Sequence, residues 1–261
     1  MSGFAVALTA AEAHPGPAAE FLARRPGFSL RSAREQLRRS PGFLGRALTL
    51  NAAAELRSAA EAAGLPCAIF PEEELGDLPA PLKPGALLPG PSGFKFFSGN
   101  APVFVNYSQI TALSVACWDA PPPASGHAAL LPGLFRRLLE AAGANRLPPP
   151  ARGPLETHLR ADLVTAAGLR LLLEPESLDF SGLAGRGPSA AANFRALLRE
   201  LSGRTPGARR NLFLGAFLEG RDLAPLKLSG PDAADLDLAR LLLTAPRAAQ
   251  FTAHGTTPGV V

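Results

Sequence analysis

Arginine is the residue type through which this chain has most chemistry to offer. Arg24, Arg25, Arg31, Arg34, Arg38 and Arg39 crowd a short stretch near the N-terminus, and Arg209 with Arg210 forms a later pair. A guanidinium is permanently charged, planar and able to hold a carboxylate or a phosphate through two parallel hydrogen bonds. These arginines are therefore the candidate binding residues, and an acidic protein surface or RNA is the kind of partner they fit.

Other chemistries leave no comparable pattern. His14, His127, His158 and His254 have neither a partner four residues away nor a neighbouring cysteine, so the spacing that holds zinc is missing. A nucleophile elbow needs Gly-x-Ser-x-Gly; Gly90-Pro91-Ser92-Gly93 fails the spacing and brings a proline, which has no N–H to give an oxyanion. Gly182, Gly185 and Gly187 lie between an expected strand and helix, but their order is neither the dinucleotide fingerprint nor a P-loop, and they read as a connection. Asp232, Asp235 and Asp237 fall at the start of an expected helix, where amide dipoles favour negative charge, and that is taken to account for them. The basic stretch 193–211 reads as a solvated helix face beside an Arg-rich turn, and Trp118 and Tyr107 read as strand residues used for packing. No catalytic residue, metal ligand or cofactor is nominated, and an enzyme is the least supported function.

Composition bounds the rest. The net charge is +4 over 261 residues, modest for an acidic partner, and 47% of residues are hydrophobic against 18% charged, which places the chain among folded globular proteins. Lys83, Lys95 and Lys227 are the only lysines among 26 basic residues, a bias that a GC-rich genome produces without functional pressure. Cys67 and Cys117 sit in apolar, strand-like surroundings and read as buried, reduced thiols. The opening MSGFAVALTAAEAHPG has no basic start followed by a sustained apolar run, and no stretch is apolar enough to span a bilayer, so a cytoplasmic protein without a membrane span is expected.

The elements that must position the first arginines are legible from spacing. Residues 4–8 alternate large and small apolar side chains and predict a strand. A helix over 17–25 begins at Pro17 and stops at Pro26-Gly27; Ser29 caps a second over 30–39, in which Arg31, Arg34 and Arg38 share a face. A strand over 43–47, a helix over 52–63 capped by Thr49 and closed by Gly64, and a strand over 67–70 complete the unit.

In this order Gly27-Phe28-Ser29-Leu30-Arg31-Ser32-Ala33-Arg34, then Ser40-Pro41, then Ala62-Ala63-Gly64 resemble the C-terminal domain of the bacterial ribosomal stalk protein. That family carries a Gly-Leu-x-Leu-Lys-x-Ala-Lys stretch, a proline before its strand and a Glu-Ala-Ala-Gly-Ala helix end in the same places. The resemblance covers about a quarter of the chain and implies a small βααβαβ domain. It also implies a bacterial source and recruitment of translation factors through a basic helix face. Arg31 and Arg34 fall where the family has lysine, whereas Glu20 falls where its first helix has a basic residue. The function expected is a non-catalytic protein–protein interaction module; the alternative is an RNA- or ribosome-associated factor that uses the Arg-rich faces, Arg209 and Arg210 included.

Beyond it the fold class expected is α+β in two domains. Residues 1–75 form the stalk-like domain. Residues 76–92, with five prolines, form a semi-extended linker. Residues 93–246 form a second domain of antiparallel strands followed by helices, and 247–261 a disordered tail. In the second domain a meander is expected over 94–97, 103–107 and 112–118, a short helix over 134–142, a hairpin over 157–164 and 169–173, and helices over 190–202, 207–219 and 231–243. This layout faintly resembles pleckstrin-homology-like barrels capped by a terminal helix, in arrangement only.

Overall fold

The computed structural model describes residues 3–11, 14–76, 78–98, 101–121, 155–183 and 186–244. It is an α+β fold. The helix expected over 134–142 and the tail over 247–261 lie outside the described residues.

The N-terminal unit runs β1 (Phe4–Leu8), α1 (Pro15–Ala23), α2 (Leu30–Arg39), β2 (Phe43–Leu48), α3 (Leu50–Ala62) and β3 (Cys67–Pro71). β1 is the centre of an antiparallel sheet of order β2-β1-β3, with Phe4 opposite Pro71 and Leu8 opposite Cys67. Each helix has a local reason to begin where it does. His14 Nδ1 accepts from the Gly16 amide ahead of α1, Ser29 and Ser32 form a reciprocal capping box on α2, and Thr49 accepts from the Ala52 amide on α3.

The alternation in β1 has a packing consequence. Val6 and Leu8 face the helices and join Leu22, Leu37, Leu44 and Leu56 in one core. Ala5 and Ala7 face the other way, where they meet Phe43, Leu75 and, from far along the chain, Ala239. Small residues on both sides of that contact let a helix lie close against the sheet, so both faces of β1 are covered.

That helix is α6 (Pro231–Leu243), preceded by α4 (Ala190–Arg204) and α5 (Leu212–Glu219). The larger sheet has order β11-β8-β9-β10-β4. Its centre is the antiparallel trio β8 (Ile110–Ala120), β9 (Glu156–Thr165) and β10 (Arg170–Leu173), while the two-residue edges β4 (Pro81–Leu82) and β11 (Arg209–Arg210) pair in parallel. One face packs Leu113, Val115, Leu163 and Leu171 against Phe194, Leu198 and Phe217 of α4 and α5. On the other face Ala112 and Val164 meet Leu238 and Leu241 of α6. α6 is thus shared between the two units.

Several expectations are revised. The Pro-rich linker, described over 78–92, is packed rather than free. β4 joins the large sheet, β5 (Leu88–Pro89) pairs with β6 (Gly93–Ser98), and Leu87 is buried in the main core. The meander is broken after its second strand. β6 pairs with β7 (Ala101–Asn106), but a 3-10 turn over Tyr107–Gln109, capped by Asn106 and anchored by buried Tyr107, redirects the chain so that β8 enters a different sheet. The helix expected over 207–219 starts only at Leu212, because Asn211 serves as its cap and Arg209–Arg210 is extended along β8.

Two polar networks lie beneath α6. Asp162 accepts from Arg160 Nε at 2.7 Å and from Arg170 Nε at 2.8 Å, one on each carboxylate oxygen, while both arginines donate a terminal nitrogen to Asp235 at 2.6 Å. Asn211 holds the Val115 backbone from both sides (3.1 and 2.7 Å), accepts from the Leu214 amide and donates to Asp237 at 2.8 Å. Asp237 in turn binds Arg240, whose terminal nitrogens reach the carbonyls of Leu8, Ala10 and Ala11 at 3.0–3.3 Å. Arg240 fits because residue 42 is glycine. Its φ is +73°, and a β-carbon there would sit 2.5 Å from the Arg240 side chain.

Candidate binding site

The end of α1, the turn after it and α2 carry Arg24, Arg25, Arg31, Arg34, Arg38 and Arg39, and all six are exposed. Arg39 pairs with Glu35 one turn earlier, at 3.2 Å. Among the described residues, Arg24, Arg25, Arg31, Arg34 and Arg38 have no carboxylate within ion-pair distance. Arg24 and Arg25 edge a shallow groove against Phe21, Glu55 and Leu56. Phe28 stands 37% exposed in the turn between Arg25 and Arg31. Arg38 and Arg39 occupy the last turn of α2, where the helix dipole favours positive charge.

Arg34 and Arg38, one turn apart, stand at a deeper feature. A cleft of about 430 Å³ opens between α1 and α2 on one side and α5 with the 3-10 turn Ala224–Leu226 on the other. Its apolar walls include Leu8, Ala19, Leu37, Phe213, Leu226 and Leu228, and its polar groups are His14, Arg34, Arg38, Asp237 and Arg240. Asp237 accepts from Arg240 and from Asn211, and Arg240 also donates to backbone carbonyls, so their charges cancel locally. Arg38 is fixed across the cleft by Nε, which donates to the Lys227 carbonyl at 2.9 Å, while Ser229 donates its amide to the Arg38 carbonyl at 3.0 Å. Cationic groups over an apolar floor suit the holding of an anion with a hydrophobic body.

Arg209 and Arg210 are placed elsewhere and used differently. Both are half-buried. Arg209 donates to the Thr9 carbonyl and the Thr244 hydroxyl, and burial followed by the nearby Arg240 charge lowers its pKa. Arg210 donates to the Ser202 and Thr205 carbonyls at the end of α4. The rest of the basic stretch is also engaged. Arg195 lies over the Phe217 ring at 4.9 Å, Arg199 donates to the Leu218 carbonyl, and Arg204 covers Tyr107 and binds the Gly90 and Pro91 carbonyls.

The aspartates at the head of α6 also differ from expectation. Only Asp232 lies in the first turn; Asp235 and Asp237 turn inward to bind arginines. Burial opposes the charge on Asp235, but hydrogen bonds from Arg170 and Arg160 outweigh it and hold its carboxyl below the usual range. On the outer part of β8, Asp119 accepts from Lys227 at 2.6 Å and from Thr157, which lowers its pKa. Burial pushes the Cys117 thiol up to about 11 and raises that of Cys67, so both are poor nucleophiles. Trp118 and Tyr107 are buried in the core as expected, with Trp118 stacked on His158 at 6.0 Å. His127 and His254 lie outside the described residues, and among the described residues no group of three or more metal-ligating side chains converges.

The sequence missed most of the cleft. Its floor comes from positions 8, 19, 37, 213, 226 and 228, which read as ordinary core residues until the fold brings them together. Comparison with protein-family models, with curated proteins and with solved structures returns no match for this chain. Among the described residues no helix is long and apolar enough to cross a membrane.

Proposed function

We propose that this protein is a non-catalytic interaction module of the cytoplasm that presents the basic face of α1 and α2 to an acidic surface on a protein partner. The observation that carries the reading is the set of exposed arginines without carboxylate partners among the described residues: Arg24, Arg25, Arg31, Arg34 and Arg38. Left unneutralised, such a face steers an acidic partner into contact and fixes its orientation. The resemblance to the ribosomal stalk C-terminal domain belongs to the same proposal; the βααβαβ order and the neighbouring β1 and β3 support it.

The test is quantitative capture from a lysate of the source cells, comparing the wild-type chain with Arg24→Glu/Arg31→Glu, two exposed sites outside the cleft. The expected result is a discrete set of proteins bound by the wild type, lost in the variant and lost in high salt. Identical sets from both proteins would remove the proposal. A second reading, contact with RNA or the ribosome, is favoured by Phe28, an exposed ring among arginines on which a base can stack. Fluorescence anisotropy with single-stranded RNA at low salt decides it. Binding that weakens steeply with salt and is lost in Phe28→Ala supports this reading, and no binding removes it.

A further inference from the structure

We infer that the cleft between the two units is a receptor for a small amphipathic carboxylic acid, its carboxylate held by Arg34 and Arg38 and its hydrocarbon body laid on the apolar floor. The volume, about 430 Å³, falls within the size range of small-molecule pockets, and the lining has their usual makeup of apolar walls with a few convergent polar groups.

The charge recognition can be assigned by elimination. The N-terminus of α1 reaches the cleft, but it has little amide to offer an anion: Pro15 and Pro17 carry no N–H, and the Gly16 amide is taken by His14 Nδ1 at 3.2 Å. Arg240 is committed to Asp237 and to carbonyls of residues 8, 10 and 11. Arg34 and Arg38 remain. They are neighbours one turn apart on α2, so two like charges face each other, an arrangement that costs a helix free energy until an anion lies between them. The Nε bond of Arg38 to Lys227 holds that guanidinium in place and, among the described residues, leaves both terminal nitrogens for a ligand. His14 adds a further donor, since Nδ1 accepts from Gly16 and the ring proton then belongs to Nε2.

The apolar part follows from the walls. Leu8, Ala19 and Leu37 come from the N-terminal unit, and Phe213, Leu226 and Leu228 from the other, with no charged side chain among them. A ligand on this floor touches both units at once. Its binding therefore stabilises the docked arrangement of the whole chain by linkage.

The experiment is isothermal titration of the full chain with saturated monocarboxylates of increasing length, with the matching alcohols, and with a short peptide ending in phenylalanine. Affinity for the acids should rise roughly threefold to fourfold per methylene until the floor is covered and then level off. Each alcohol should bind about tenfold more weakly than its acid, or worse, because a charge-assisted pair of hydrogen bonds is missing. Arg34→Gln/Arg38→Gln, exposed sites whose change leaves the core alone, should bring the acids down to the alcohols. Ala224→Trp, at an exposed position on the cleft wall, should weaken acids and alcohols alike. At an acid concentration that saturates the wild type, the melting temperature should rise clearly more in the wild type than in the Arg double variant. No binding of any acid, equal binding of acid and alcohol, or unchanged affinity in the Arg double variant would overturn the inference. So would tighter binding of the peptide than of every free acid. Since the partner-capture test uses Arg24 and Arg31, outside the cleft, either idea can fail while the other stands.

Discussion

Asp162 is a buried carboxylate that holds two buried arginines at once. Each of its oxygens neutralises one buried guanidinium, and both Arg160 and Arg170 are almost wholly shielded from water. Replacing it by alanine leaves two buried guanidinium groups to share the single, half-exposed carboxylate of Asp235, which should cost about 3–5 kcal/mol in urea denaturation, against less than about 1 kcal/mol for the exposed Glu35→Ala, whose pair with Arg39 is solvated. Asp235, the half-exposed member of the same ring, gives the molecule a pH response. Its folded carboxyl titrates below the value of about 3.9 for a free aspartate, so its contribution is complete above that value and is lost as the pH falls through the folded one. Urea midpoints between about pH 2 and pH 5 should drop more steeply in the wild type than in Asp235→Asn; parallel curves would contradict the assignment.

Asn211 shows what a single cap does at the scale of elements. As N-cap of α5 its Oδ1 accepts from the Leu214 amide and from the Val115 amide, and its Nδ2 donates to the Val115 carbonyl and to one oxygen of Asp237. Asn211→Ala should therefore cost more than the roughly 1 kcal/mol of an exposed cap such as Thr49→Ala, because it also orphans buried partners; about 3 kcal/mol is expected from thermal or urea unfolding. Equal losses from the two substitutions would show that the Val115 and Asp237 contacts contribute nothing. The helix and strand positions of the N-terminal unit were readable to within a few residues because their signals are local: prolines in the first turn of α1, which starts at Pro15 rather than Pro17, Ser29 and Thr49 as caps, Gly64 as stop. The start of α5 was not, since a strand of two residues has no period to detect and Arg209–Arg210 is extended only because β8 is there to pair with it.

For the whole molecule the decisive element is α6. One side of it covers Ala5, Ala7 and Phe43 in the N-terminal sheet, the other covers Ala112 and Val164 in the large sheet, and Arg240 ties its inner face to the end of β1. Two units joined through a common buried helix should unfold together. Differential scanning calorimetry should show one transition, and Arg240→Met should lower its midpoint without splitting it, by an amount matching the loss of a buried charge partner, about 3 kcal/mol. Two separate transitions in the wild type would mean that α6 adds little to one of its two neighbours.

The sequence by itself determined the α+β class and the elements of the first seventy residues, because each of these is written in spacing, caps and turn residues that act over a few positions; that the second unit leaves the basic helix face exposed was decided by the tertiary structure. It placed Arg31, Arg34 and Arg38 on one side of a helix, and that is where they stand. Only the tertiary structure decided that Arg34 and Arg38 rim a cleft, that Arg209 and Arg210 spend their donors on carbonyls, and that Asp235 and Asp237 turn inward. Those outcomes depend on contacts between positions as far apart as Leu8 and Arg240. A charged side chain carries the same local signature whether it meets water or a buried partner, and which of the two it meets is set by what the distant chain brings against it.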